Sequence, residues 1–168
     1  MAAGLFIGRF QPFHLGHLKD VKDAFNEIDE LIIAVGSSQH SHMSENPFTV
    51  EERIRMIEDT LMANDISNYT IFPVPDIGDD KKWVEHVETL VPEFEVVFTG
   101  NLLTEKLFRE RGYKVKKVDM VEEINATKIR DRMVNGEAWE DLVPTEVANF
   151  LKEIKGASRV KDIFARAK

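Results

Sequence analysis

The sequence predicts an α/β protein built on a doubly wound parallel sheet of about five strands, with a helical C-terminal extension. Three observations lead there. Short apolar runs alternate with helical patterns over residues 1–123, and strand–helix alternation implies parallel strands joined by right-handed crossovers. Leu31–Val35 is a continuous apolar run, as expected of a strand buried on both faces. Residues 124–168 carry only helical signals. At 168 residues the chain suits a single domain, 1–168, with residues 1–123 as the α/β core and 124–168 as the helical part.

The elements follow in order. Gly4–Gly8 reads as the first strand, and Leu18, Val21, Phe25 and Ile28 then recur at helical spacing. After Leu31–Val35, a helix begins near Thr49, where Thr49 and Glu52 have capping-box spacing and Val50, Ile54, Ile57 and Leu61 form a stripe. Tyr69–Val74 is the third strand. Lys82–Val91 is a helix with Val84, Val87 and Val91 on one face. Val96–Thr99 and Tyr113–Val118 are strands flanking the helix Leu102–Arg111, which Gly112 closes. Thr127–Val134 and Pro144–Lys155 are helices, with Pro144 in a first turn, and a last helix falls between Ala157 and Ala167.

Composition excludes several functions. Hydrophobic residues at 43% and charged residues at 31% fit a folded globular chain. Lys+Arg 22 against Asp+Glu 30 gives a net charge of −8, a poor match to nucleic acid or anionic membranes, so an anionic ligand needs a local basic cluster. With Cys 0, disulfides, thiolate metal sites and Cys nucleophiles are excluded. No apolar run approaches a membrane span of ~18–20 residues. The N-terminal sequence has no positive leader before its short apolar run, so the expected location is cytoplasmic.

Ligands of open α/β sheets bind beyond the carboxyl ends of the strands, which directs attention to the segments following them. The first seventeen residues hold Arg9, His14 and His17 and no acid. The run Gly8-Arg-Phe-Gln-Pro-Phe-His-Leu-Gly-His17 passes from strand to helix, and His14 and His17 share one helical face. Gly16 between them leaves room for a ligand to approach the backbone. A helix N-terminus favours anions, and two imidazoles with a guanidinium there favour a phosphate site. The alternatives are a metal-binding pair or histidines exposed to water.

A second cluster is Ile124-Asn-Ala-Thr-Lys-Ile-Arg130. With Thr127 as the expected N-cap, Lys128 and Arg130 stand in the first turn, opposing the helix dipole by ~0.3–1 kcal/mol each. A bound anion would compensate them; two solvated basic residues offset by Asp131 are the other reading. Trp83 lies beside the Val84–Val87–Val91 stripe, about 100° from Val84, where it can serve as a stacking platform or as an ordinary core residue. Trp139 reads as core or interface. His40 and His42 suit a loop near a nucleotide or, alternatively, a metal. The basic tail from Lys152 to Lys168 reads as a solvated helix face.

The two clusters together resemble the nucleotidyltransferase superfamily of adenylyl- and cytidylyltransferases. Gly8–His17, Ser41-His-Met-Ser-Glu-Asn-Pro-Phe-Thr49, Gly100-Asn101 and Arg132-Met-Val-Asn-Gly-Glu-Ala-Trp-Glu-Asp-Leu-Val-Pro144 are similar to archaeal nicotinamide-nucleotide adenylyltransferases across essentially the whole chain. One departure is Asn125, where the family usually has Ser.

The resemblance implies a Rossmann-like fold and a transferase of NAD biosynthesis. NMN and ATP would give NAD and pyrophosphate by in-line attack of the NMN phosphate on the α-phosphate. Arg, protonated His and Mg²⁺ suit the charge stabilisation this needs. His17 would donate to the α-phosphate and His14 to the phosphate chain. Arg9 and Arg130 would hold the β- and γ-phosphates, with Asn125 and Thr127 near them. Gly8, Phe10, Gly16, Gly36 and Ser37 would bind the nucleotide. Asp76, Ile77 and Trp83 would recognise nicotinamide, while Gly100 and Asn101 approach the adenosine. Mg²⁺ would ride on the ATP phosphates, with no protein metal ligands. The resemblance further implies a homo-oligomer such as a hexamer. Two other readings remain at this point: an adenylyltransferase for another phosphorylated acceptor such as pantetheine phosphate or FMN, and a non-catalytic nucleotide sensor.

Overall fold

The computed structural model describes residues 2–118 and 124–167. Residues 119–123, which adjoin the boundary expected at 124, and Lys168 of the basic tail lie outside the described residues. The strands are β1 (Ala3–Gly8), β2 (Glu30–Val35), β3 (Tyr69–Pro73), β4 (Val96–Thr99) and β5 (Lys114–Lys117). The helices are α1 (Leu15–Ala24), α2 (Val50–Ala63), α3 (Asp80–Leu90), α4 (Leu102–Glu110), α5 (Ala126–Asn135), α6 (Thr145–Glu153) and α7 (Gly156–Arg166), with a short 3₁₀ turn at Glu140–Leu142.

Contacts divide the chain into two compact units. One comprises Met1–Gly8, Asp20–Ser38 and Asn68–Met120 and holds the sheet, in the order β3-β2-β1-β4-β5 with every pairing parallel. This is the expected Rossmann-like sheet, in which β1 lies between β2 and β4 and the strand order reverses. Its core joins Leu5, Ile32, Ala34 and Val97 of the central strands to Val84 and Val87 of α3 and Phe108 of α4. Leu31–Val35 is buried throughout, as a central parallel strand must be. Gly4 is needed on β1 because a Cβ there would come within 2.7 Å of the Phe98 ring.

The other unit comprises Arg9–Lys19, Gln39–Ser67 and Val121–Lys168. Its helices pack chiefly as α5 on α7 and α2 on α6. Trp139 is core here, 5% exposed.

Several boundaries differ from expectation for local reasons. The first helix ends at Ala24, so Phe25 falls in the following turn, where Asn26 and Glu27 donate to Asp23 and Ala24. α3 starts two residues earlier than the apolar stripe suggested, because Asp79 caps it by accepting from Lys81 N at 3.0 Å. Pro144 precedes α6 rather than entering its first turn. The buried face of α2 is Arg53, Met56, Ile57, Thr60 and Leu61, so the expected stripe is rotated: Val50 and Ile54 are only half-buried.

Candidate active site

β1 ends at Gly8 and the chain turns sharply, with Phe10 at φ 55, before entering α1 at Leu15. His14 immediately precedes the helix and His17 stands three residues on. The His14 backbone N–H donates to His17 Nδ1 at 3.1 Å, and the His17 N–H donates to His14 Nδ1 at 3.3 Å. The pair is thus an imidazole version of a capping box, satisfying two N–H groups at the helix start. The rings stack at 3.6 Å, and the Phe10 and Phe13 rings pack against His17 at 4.8 and 5.4 Å.

This packing decides the protonation. Burial pushes the His14 imidazole down from 6.5 to about 4. Burial, and secondly the neighbouring His14, hold His17 well below its usual value. Both rings are therefore neutral at pH 7 in the ligand-free protein. Each Nδ1 accepts a hydrogen bond, so the proton of each neutral ring sits on Nε2. Gly16 also has another reason than ligand access: a Cβ there would lie 2.9 Å from the His14 ring.

The guanidinium of Arg130, 9% exposed, reaches this loop from α5, donating to Gln11 O at 2.9 Å and to Thr127 Oγ1 at 3.4 Å. Burial, and then the charge of Arg9, lower its pKa. Among the described residues no carboxylate lies within 4.0 Å of it. Arg9 is half-exposed, with Glu45 at 3.8 Å. Arg9, His14, Gly16, His17 and Arg130 thus belong to one compact unit. Its α5 helix is capped by Asn125, not Thr127: Asn125 Oδ1 accepts from Lys128 N at 2.8 Å, because Ala126 is the first helical residue. Thr127 and Lys128 then fall in the first turn and Arg130 just beyond it.

The other expected contacts lie in the sheet unit. Gly36 N–H donates to Gly8 O at 2.8 Å. Ser37, at φ 48, donates through Oγ to Asp76 Oδ2 at 2.7 Å, so these two tie the ends of β2 and β3 together. Ile77 is 40% exposed. Trp83 is half-buried, edge-on to Phe108 at 5.6 Å, so one part of its ring packs on the core. Asn101 follows Gly100 and caps α4, Oδ1 accepting from Thr104 N at 3.0 Å, which leaves its NH₂ as donor.

Sequence reasoning missed Gln11 and Arg53. Gln11, 1% exposed, pairs both ends of its amide with the Phe48 backbone, at 3.1 and 2.9 Å. Arg53 is wholly buried and donates to the carbonyls of Thr49, Arg9 and His40. The available signal was Arg53 standing three and four residues before Met56 and Ile57 on an apolar face. Within the basic tail, Arg159 is not a solvated residue: it grips Glu52 with two bonds of 2.6 and 2.8 Å. His42 Nδ1 lies 3.0 Å from Ser41 Oγ, and among the described residues no cluster of three or more His, Asp or Glu is placed to hold a metal.

The cytidylyltransferase-like family profile matches residues 5–132, which include Arg9, His14, His17 and Arg130. The nicotinamide-nucleotide adenylyltransferase of Pyrococcus furiosus is 50% identical over 166 residues, covering 96% of this chain and 88% of its own. The chain belongs to the cytidylyltransferase-like family, among the nicotinamide-nucleotide adenylyltransferases. The Thermoplasma volcanium relative of the same name is 47% identical over 159 residues, covering 94% of this chain and 89% of its own. Among solved structures, a bifunctional NMN adenylyltransferase/ADP ribose pyrophosphatase from Francisella tularensis, complexed with AMP and a Mn ion, superposes with TM-score 0.80 at 27% identity. It covers 98% of this chain, which spans 52% of that longer chain. The family and the five-stranded Rossmann-like sheet agree, and the members are enzymes of nucleotidyl transfer. No described helix is long and apolar enough to cross a membrane.

Proposed function

We propose that this protein is a nicotinamide-nucleotide adenylyltransferase, making NAD and pyrophosphate from NMN and MgATP. An oxygen of the NMN phosphate forms a bond to the α-phosphorus of ATP. The bond from that phosphorus to the bridging oxygen breaks, and pyrophosphate leaves with the electron pair. A phosphate monoester has a second pKa near ~6, so the nucleophile is largely ionised at neutral pH and needs no strong base. The protein's task is then positioning and charge stabilisation.

The observation that carries this reading is the reciprocal His14–His17 pair, which fixes both Nε2–H groups as donors beside a loop that Arg130 also grips. In our reading the His17 donor serves the α-phosphate and the His14 donor the phosphate chain. Arg9 and Arg130 hold the β- and γ-phosphates, with Asn125 and Thr127 at the α5 start. Gly8, Phe10, Gly16, Gly36 and Ser37 contact the bound nucleotide. Trp83, Asp76 and Ile77 select nicotinamide, and Gly100 and Asn101 meet the adenosine. Mg²⁺ arrives on the ATP phosphates as part of the substrate. A cytoplasmic homo-oligomer such as a hexamer completes the proposal, on the strength of the family resemblance, and light scattering of the purified protein checks its mass.

The test supplies MgATP with NMN, pantetheine phosphate or FMN in parallel, following nucleotides by chromatography and pyrophosphate by a coupled assay. The expected result is equal amounts of NAD and pyrophosphate with NMN alone. Turnover of another acceptor in place of NMN, or of none, overturns it.

A further inference from the structure

The phosphate loop has to hold its side chains to a fraction of an ångström, yet Arg9–Phe13 has neither strand pairing nor helix hydrogen bonds of its own. Its backbone is held by three buried side chains instead, those of Arg53, Gln11 and Arg130. The Arg53 guanidinium, wholly buried on α2, donates through Nη1 to Arg9 O at 3.0 Å. Its Nε donates to Thr49 O at 3.2 Å and its Nη2 to His40 O at 3.4 Å. One planar cation therefore joins the loop after β1, the loop after β2 and the cap of α2. Gln11 supplies the second tie, accepting from Phe48 N and donating to Phe48 O as a strand neighbour would. Arg130 then donates to the carbonyl of that same Gln11.

Neither side chain has a bulk-solvent role, since Gln11 is 1% and Arg53 0% exposed. A buried cation is costly unless its hydrogen bonds are satisfied, and an apolar residue would fill this face of α2 without that cost. What the guanidinium adds is a fixed fork with donors in several directions, which an apolar side chain or an ammonium lacks. We propose that Arg53 and Gln11 are positioning residues of the phosphate loop, clamping its backbone to His40 and the Phe48–Thr49 segment so that Arg9 meets the ATP phosphates. The proposal rests on the adenylyltransferase reading for its ligand.

The test uses the full chain and measures MgATP affinity by calorimetry, alongside thermal melting and steady-state kinetics. Arg53→Lys and Gln11→Ala are each made alone and in an Arg9→Ala background. A displacement of the loop by an ångström can cost about a hundredfold in rate. Each variant is expected to weaken MgATP binding and kcat/KM for ATP by roughly ten- to a hundredfold, with KM for NMN nearly unchanged. In the Arg9→Ala background most of that loss should vanish, because the side chain being positioned is gone. Losses that add in full to that of Arg9→Ala, or folded variants that bind MgATP like the parent, overturn the proposal. If Arg53→Lys does not fold, Gln11→Ala decides by the same cycle. If the parent binds MgATP but transfers nothing to NMN, the functional reading fails while the calorimetric cycle still judges the clamp.

Discussion

The starts of α2 and α5 lie in the same compact unit and solve the same electrostatic problem in opposite ways. At α2, Thr49 Oγ1 accepts from Glu52 N and Glu52 Oε1 accepts from Thr49 N, a complete capping box. Glu51 and Glu52 complement the dipole. Burial by itself would raise the Glu52 pKa, but the bonds from Arg159 and Thr49 outweigh it and hold the carboxyl below its usual value. At α5, Asn125 caps one N–H, no acid stands in the first turn, and Lys128 and the buried Arg130 add positive charge. The first terminus is closed by the chain's own anion. The second has no acid in its first turn and lies in the same unit as His14, His17 and Arg9, which is why we propose that the ATP phosphates bind there.

Substitutions should separate these two kinds of terminus. The largest effect is expected on the anion side: His17→Ala should lower kcat by roughly 10²–10³, as for loss of one transition-state donor. Pyrophosphate release measures it, and a near-parental kcat removes His17 from the chemistry. Arg130→Lys comes next. A guanidinium can bond Gln11 O through one nitrogen while its rigid planar fork grips a phosphate, whereas an ammonium is a single point charge without that geometry. A loss of roughly ten- to a hundredfold in kcat/KM for ATP follows from one charge-assisted hydrogen bond of ~1.5–3 kcal/mol. A loss confined to melting temperature would make Arg130 a structural joint of the α2 kind.

Trp83 lies outside both termini and should affect the other substrate. Stacking on a cationic ring is worth ~0.5–2 kcal/mol, so Trp83→Ala should raise KM for NMN about three- to thirtyfold and leave KM for ATP nearly unchanged. Equal losses for both substrates would return Trp83 to the core beside Phe108. The smallest effect belongs to the closed terminus. Thr49→Ala keeps the carbonyl that Arg53 grips and should cost about 1 kcal/mol of stability, a fall of roughly 2–4 °C in melting temperature, with kcat/KM for ATP lowered less than in Arg130→Lys. Differential scanning calorimetry checks it, and a loss in kcat/KM for ATP as large as that of Arg130→Lys would erase the distinction.

The central strands β1, β2 and β4 were legible as apolar runs, and the edge strands β3 and β5, the latter only Lys-Val-Lys-Lys, from their places between helical patterns. The two basic clusters were legible because they set basic residues at helix starts in an acidic chain, and the structure places both in one compact unit. The cap of α5 was not, since Asn125 and Thr127 are both good caps and only the backbone shows which one precedes the helix. Arg53 was not, because its three carbonyl partners are distant in sequence or have no side-chain signature. Nor was the charge of the histidines, which depends on the rings of Phe10 and Phe13 closing over His17.

That charge is the centre of the account, for the site is held to work through oriented neutral donors rather than through fixed imidazolium charge. Nitrogen-15 NMR of the imidazoles in the ligand-free protein, from pH 7.5 down to about 4, tests it most directly. Both rings should be Nε2–H tautomers and neutral at pH 7, with His14 titrating near about 4 and His17 well below 6.5. Because the unfolded chain would bind those protons near 6.5, stability should be fully present above that pH. It should fall as the pH drops toward 4, by about 3 kcal/mol for His14. Two rings titrating near 6.5, or carrying their protons on Nδ1, would contradict the account.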